Sequence, residues 1–205
     1  MVISASDISK RYSNHWILRN FNFQFEAGNT YAIQGPNGSG KSTLLKIISG
    51  FLSPTEGVIN YSQGSTEVNR DEVFHYVSIW GPYVSLLREL KVEEMVQYYL
   101  NHKSIKDNLT VKDIIKIWDV DVKPSQLIKA LSSGQAQRLG LVLAILTTCP
   151  ILILDEPTSF LDENSKKWFF NLLHSNLQDK VVIIASNDEG DFLTDSILID
   201  MKNFN

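Results

Sequence analysis

The stretch GPNGSGKST, from Gly35 to Thr43, has residue types and a spacing suited to holding phosphate. It fits G-x-x-x-x-G-K-[ST] and lies between a short apolar run, TYAIQ, and a helical pattern, KSTLLKIISG. Gly35, Gly38 and Gly40 let backbone N–H groups turn toward an anion without Cβ clashes, and Pro36, Asn37 and Ser39 complete the loop. Lys41 can reach terminal phosphate oxygens. The Ser42 hydroxyl is placed to ligate Mg²⁺, and Thr43 leads into a helix whose positive end faces the anion. The chemistry is that of a nucleotide held together with a hard divalent cation.

A second group lies far along the chain. Asp155 and Glu156 follow the apolar run Ile151 to Leu154. Carboxylates that end a buried strand are costly unless a cation or hydrogen bonds await them. Beside a phosphate loop, Asp155 fits a Mg²⁺ ligand. Glu156 fits a general base that polarises an attacking water. A third group, LSSGQ, is Leu131, Ser132, Ser133, Gly134 and Gln135. It looks like another phosphate cradle, leading the helical run QAQRLGLVLAIL, but has no lysine. The plain alternative is a serine that caps a helix and binds nothing.

The elements that must position these groups follow from periodicity. Residues 2–34 are β-rich: NFNFQFEAG alternates aromatic and polar residues and turns at Gly28. TYAIQ is a strand, and the helix after the loop ends at Gly50. GVINYSQG predicts another strand, and EVFHYVSIW, residues 72–80, a strand running into a loop at Gly81-Pro82. VEEMVQYYL and VKDIIKIWDV carry apolar residues at helical spacing, with a start signal for the second at Asn108–Thr110. ILILDEP and KVVIIASNDEG are apolar runs that become polar at their C-terminal ends. Strands alternating with helices predict an α/β fold with a mainly parallel central sheet, an N-terminal antiparallel β region, and a helical subdomain inserted at about 83–140.

Composition bounds the rest. The chain has 205 residues, 43% of them hydrophobic, enough for one domain with a real core. Net charge is -4 and the pI about 5.6, with basic residues scattered, which argues against nucleic acid as a partner. Cys149 stands alone, so no internal disulfide forms. His15, His75, His102 and His174 lack metal-ligand spacing and read as solvated or satisfied positions. The N-terminus lacks the apolar core of a signal peptide. The most apolar stretch, residues 139–154, is too short to span a bilayer and reads as a buried helix followed by a buried strand. Trp118 and Trp168 read as core. Trp80, Tyr83, Tyr98 and Tyr99 fit either core packing or a groove for a helix of a membrane partner.

Over nearly its full length the chain resembles the ATP-binding subunits of ABC transporters. GPNGSGKST looks like their Walker A motif, ILILDE like Walker B, LSSGQ like the signature motif, and SFLD, Ser159 to Asp162, like the D-loop. Tyr12 falls where that family places an aromatic that stacks on adenine. The resemblance implies a P-loop NTPase core, ATP and Mg²⁺ as cofactors, and two ATPase subunits packed head to tail as a homo- or heterodimer. The signature motif of one subunit then closes over the nucleotide of the other, so LSSGQ needs no lysine of its own. It also implies a separate integral membrane permease and a peripheral place on the cytoplasmic face of the membrane.

Two family residues are missing. The family has a Gln after the strand that precedes the helical subdomain, and here YVSIWGPYVS offers Ile79 or Trp80. It has a His after the last core strand, and IIASND puts Asn187 there. Asn187 can donate a hydrogen bond but carries no charge, so slower hydrolysis with ATP binding retained is expected. Lys41, Glu156 and Asn187 are the candidate catalytic side chains. The compact length resembles small ATPase subunits of exporters, including haem-export types. Other readings are a soluble ABC-type switch acting on nucleic acid or ribosomes, and a nucleotide-binding scaffold subunit that has lost most hydrolysis. The first usually carries two ATPase units or a coiled-coil insertion in one chain, and this sequence has neither.

Overall fold

The computed structural model describes residues 1–204. Its strands and helices are β1 (Val2–Tyr12), β2 (His15–Glu26), β3 (Thr30–Gln34), α1 (Lys41–Ile48), β4 (Glu56–Gln63), β5 (Thr66–Val68), β6 (Val77–Trp80), α2 (Val92–His102), α3 (Val111–Trp118), α4 (Ser133–Leu146), β7 (Ile151–Asp155), α5 (Glu163–His174), β8 (Val181–Ser186) and β9 (Ile197–Asp200). The fold is mixed α/β, with one antiparallel and one parallel sheet. The described chain divides into two compact units, residues 1–79 with 149–156 and 178–204, and residues 80–148 with 157–177.

The first unit holds both sheets. An antiparallel sheet in the order β2-β1-β4-β5 uses the alternating N-terminal sequence. Ile3, Phe21 and Phe25 are fully buried and Phe23 packs half-buried against the same core, while Asn22 and Gln24 between them are exposed. The second sheet runs β6-β7-β8-β3-β9, with β3, β7, β8 and β9 parallel. Its inner strands ILILD and VVIIAS are buried along their whole length, as strands covered on both faces must be. Leu44, Leu45, Ile47 and Ile48 of α1 join residues of both sheets in one core.

Register explains where chemistry can gather. β3 pairs with β8 so that Gln34 lies opposite Ser186, and β7 pairs with β8 so that Asp155 lies opposite Ala185. Parallel strands in step bring their C-terminal ends to one edge, where open α/β sheets place ligands. The phosphate loop, Glu156 and Asn187 therefore leave the sheet at a common edge.

The second unit is helical. α3 starts at Thr110, whose hydroxyl accepts from the Asp113 N–H while the Asp113 carboxylate accepts from the Thr110 N–H. Trp118 is buried and donates Nε1–H to the Gln135 carbonyl at 3.1 Å. The residues of α4 from Leu139 to Leu146 are all buried. The inserted segment expected at 83–140 lies inside this unit, whose chain runs on to Thr148 and returns at Pro157.

Three local expectations differ from the structure. Residues 72–80 are not one strand: Arg70–His75 form a 3-10 turn, and the strand begins at Val77. The cause is Asn69, whose side-chain oxygen accepts from the Asp71 N–H at 3.1 Å and starts the turn. Trp168 is half-buried, donating to the Ile117 carbonyl at 3.0 Å under the Arg138 guanidinium 4.2 Å from its ring. The aromatics weighed as core packing or a groove differ in exposure. Trp80 is buried, whereas Tyr98 is exposed beside the His102 ring.

Candidate functional site

The phosphate loop turns between Gln34 and Lys41 in the first unit. Gly40 sits at φ 89°, and a Cβ there would lie 2.9 Å from the Ile17 carbonyl oxygen, so both its dihedral and its surroundings require glycine. Lys41 is the first residue of α1, yet its side chain is buried. Its ammonium donates to the Gly35 carbonyl at 2.7 Å and to the Pro36 carbonyl at 3.4 Å. It lies 3.8 Å from Glu156 Oε1. The loop, Lys41, Ser42, Thr43, Tyr12, Ile17 and Glu156 line a cleft of about 320 Å³. Tyr12 is 49% exposed at its rim, with the Lys10 ammonium 5.3 Å from the ring centre.

Asp155 ends β7 and is 1% exposed. Both carboxylate oxygens are buried without a completed hydrogen bond. Burial pushes its pKa up, with the nearby Ser42 hydroxyl and the Lys41 and Lys46 charges pulling it back. Such a group fits a cation. Among the described residues no cluster of three or more His, Cys, Asp or Glu side chains forms a closed metal cage.

Glu156 follows with φ 50°, a left-handed backbone that glutamate seldom adopts. Its N–H donates to the Ala185 carbonyl at 2.8 Å, which ties the turn to β8. Burial raises its pKa, Lys41 and the Ser186 hydroxyl lower it, and Asp155 and Asp191 raise it. A carboxylate held this way is a stronger proton acceptor than a solvated one. Asn187 is exposed directly after β8. Sequence reasoning missed Ser186 and Asp191. Both are buried, and the Ser186 hydroxyl donates to Asp191 Oδ2 at 2.6 Å. Their signal was the polar cluster SNDEGD closing an apolar strand.

The remaining candidates lie in the second unit. Ser132 caps α4 in a reciprocal box. Its hydroxyl accepts from the Gln135 N–H at 3.2 Å, and Gln135 Oε1 accepts from the Ser132 N–H at 2.9 Å. Ser132 and Ser133 are exposed, and Leu131, Gly134 and Gln135 are half-buried. A Cβ on Gly134 would come within 2.8 Å of the Phe160 carbonyl. Phe160 is 74% exposed at φ 68° between Ser159 and Asp162. Asp162 caps α5 by accepting from the Ser165 N–H at 2.7 Å. Trp80, one of the two residues offered in place of the missing Gln, donates Nε1–H to Gln137 at 2.9 Å, and Gln137 donates to the Pro157 carbonyl at 2.8 Å.

The model of the ABC transporter family matches residues 18–159, well over half of the chain. The chain belongs to the ABC transporter family. Its ATP-binding relatives differ widely in size. The human cholesterol transporter ABCA5 is 33% identical over 94% of this chain, which spans only 12% of that protein. The cytochrome c biogenesis ATP-binding export protein CcmA of Rhizobium johnstonii is 28% identical, and the match covers 100% of this chain and 96% of CcmA. A solved structure described as an ABC transporter ATP-binding protein from Pyrococcus furiosus superposes with a TM-score of 0.83 at 25% identity, covering 100% and 99% of the two chains. No helix among the described residues is long and apolar enough to cross a membrane.

Proposed function

We propose that this ABC cassette binds and hydrolyses ATP to power a separate integral membrane permease from the cytoplasmic face. The observation that carries the reading is the cleft that joins the Asn37–Thr43 part of the loop, Lys41 and Glu156, beside the buried Asp155 carboxylate. The loop N–H groups and Lys41 hold the phosphates, and Tyr12 offers its ring to the base. Ser42 and Asp155 hold Mg²⁺, which supplies charge neutralisation at the phosphates. Glu156 accepts the proton of a water whose oxygen bonds to the terminal phosphorus. The bridging P–O bond breaks, and ADP leaves with the electron pair.

The exposed Ser132 and Ser133 at the start of α4 act in trans on ATP held by a second ATPase subunit, identical or related, which supplies the lysine they lack. Ser159 and Asp162 belong to the same contact. ATP bound between two subunits favours closure, and hydrolysis releases it, a two-state element to which a permease couples. Asn187 gives the terminal phosphate a neutral donor, so turnover is slow. Asn187→His is expected to raise kcat about tenfold with little change in KM, since a hydrogen bond to a charged group is worth about 1.5–3 kcal/mol. Equal turnover of the two forms would show that Asn187 suffices.

A further inference from the structure

A nucleotide site must draw a polyanion out of water, and the walls of this cleft supply little net charge for that. Its two charged lining residues, Lys41 and Glu156, are of opposite sign and lie 3.8 Å apart. The whole chain carries a net charge of -4. The average field of such a surface does not favour an approaching anion.

The hairpin of β1 and β2 departs from that average. From Ile8 to Phe25 the sequence holds Lys10, Arg11 and Arg19 and no aspartate or glutamate. Arg11 lies opposite Trp16 across the hairpin, its guanidinium carbon 5.2 Å from the ring centre. The Arg19 guanidinium carbon lies 5.3 Å from the same ring. Trp16 is half-buried, and both arginines are exposed. Lys10 is held as well: its ammonium donates to the Ser53 carbonyl at 2.8 Å and sits 5.3 Å from the centre of the Tyr12 ring. Among the described residues none of these three cations forms an ion pair.

The choice of anchor matters. A carboxylate would hold an arginine in place and cancel its field. An aromatic face attracts the guanidinium and leaves the charge intact. The patch also adjoins the cleft through the chain itself. Tyr12 and Ile17 line the cleft, and Arg11 and Trp16 are their neighbours in sequence, with Cα atoms about 3.8 Å away. At low salt the Debye length is about 30 Å at 0.01 M, so charges placed here act on an anion at the mouth of the cleft.

We propose that Arg11 and Arg19, held on Trp16 without a counter-charge, form with Lys10 an electrostatic funnel that steers the phosphates of the nucleotide to the cleft and sets its rate of capture. The proposal rests on the reading of that cleft as a nucleotide site.

Stopped-flow mixing of the chain with a fluorescent ATP analogue and Mg²⁺ separates kon from koff. Arg11→Gln/Arg19→Gln is expected to lower kon about threefold at about 0.01 M ionic strength, with koff unchanged. At about 0.5 M the difference should vanish, because the Debye length falls to about 4 Å. Arg11→Lys/Arg19→Lys keeps both charges and should keep the wild-type kon. Equal kon in wild type and the Gln pair at low salt overturns the proposal. A loss in the Lys pair as large as in the Gln pair also overturns it, since the guanidinium groups then serve the hairpin rather than the field. A loss that persists at about 0.5 M, or that falls on koff, overturns it in favour of direct contact with the nucleotide. If wild type binds no nucleotide at any salt, the nucleotide reading of the cleft fails, and the funnel fails with it.

Discussion

Gly140 tests whether α4 is held where the structure holds it. A Cβ at Gly140 would lie 2.1, 2.2 and 2.3 Å from Cζ2, Cε2 and Cη2 of Trp80. Carbon atoms in contact sit about 3.5–4.0 Å apart, so Gly140→Ala demands a movement of more than about 1 Å from the indole or the helix. Overpacking of that kind costs about 1–3 kcal/mol. Moving the indole also strains its 2.9 Å bond to Gln137, worth about 1 kcal/mol, while alanine regains about 1 kcal/mol of helix propensity. The net loss is about 2 kcal/mol, a fall in Tm of about 4–8 °C for a chain of this size. Calorimetry on wild type, Gly140→Ala, Trp80→Phe and the double variant separates the terms. The smaller ring should make room, so the alanine should cost about 1 kcal/mol less in the Trp80→Phe background. Gly140→Ala as stable as wild type, or equally damaging in both backgrounds, would refute the packing argument.

Other predictions concern the first unit. Gly40→Ala places a Cβ against the Ile17 carbonyl at a left-handed dihedral, so nucleotide affinity should fall at least tenfold in a fluorescent-nucleotide titration. Unchanged affinity would mean the loop tolerates another path. Tyr61 is buried and donates to the Ile48 carbonyl at 2.9 Å, and burial pushes its pKa far above the ordinary tyrosine range. The folded state holds the phenol proton where the unfolded chain has lost it, so stability is full below about pH 10 and falls as pH rises beyond that. Chemical denaturation should show that alkaline loss in wild type and a shallower one in Tyr61→Phe, and identical slopes would exclude Tyr61 as its source.

Much of the candidate site is legible in sequence because its parts are local. GPNGSGKST carries its own turn chemistry, and the buried ILIL before Asp155 and Glu156 marks the end of a strand. Strand register then delivers both groups, with Asn187, to one edge. What escapes the sequence is set by non-local contacts or by backbone. Val73 and Tyr76 make residues 72–80 read as a strand, but a single Asn69 side chain diverts the chain into a turn. Gly140 reads as an ordinary residue of a buried helix until the Trp80 ring lies across it. Nothing in the sequence tells that Glu156 has a left-handed backbone, or that Ser186 and Asp191 share a proton behind it.

The central claim is that Glu156 is the base of an ATP site completed by a second subunit, and one experiment addresses both halves. ATP turnover and oligomeric mass would be measured for wild type and Glu156→Gln, each with and without ATP and Mg²⁺. The account predicts slow turnover by wild type and at least a hundredfold loss in Glu156→Gln, the scale on which a general base contributes. It also predicts a stable dimer of Glu156→Gln that appears with ATP and is absent without it. Wild-type turnover retained by Glu156→Gln, with both proteins monomeric at saturating ATP, would contradict it.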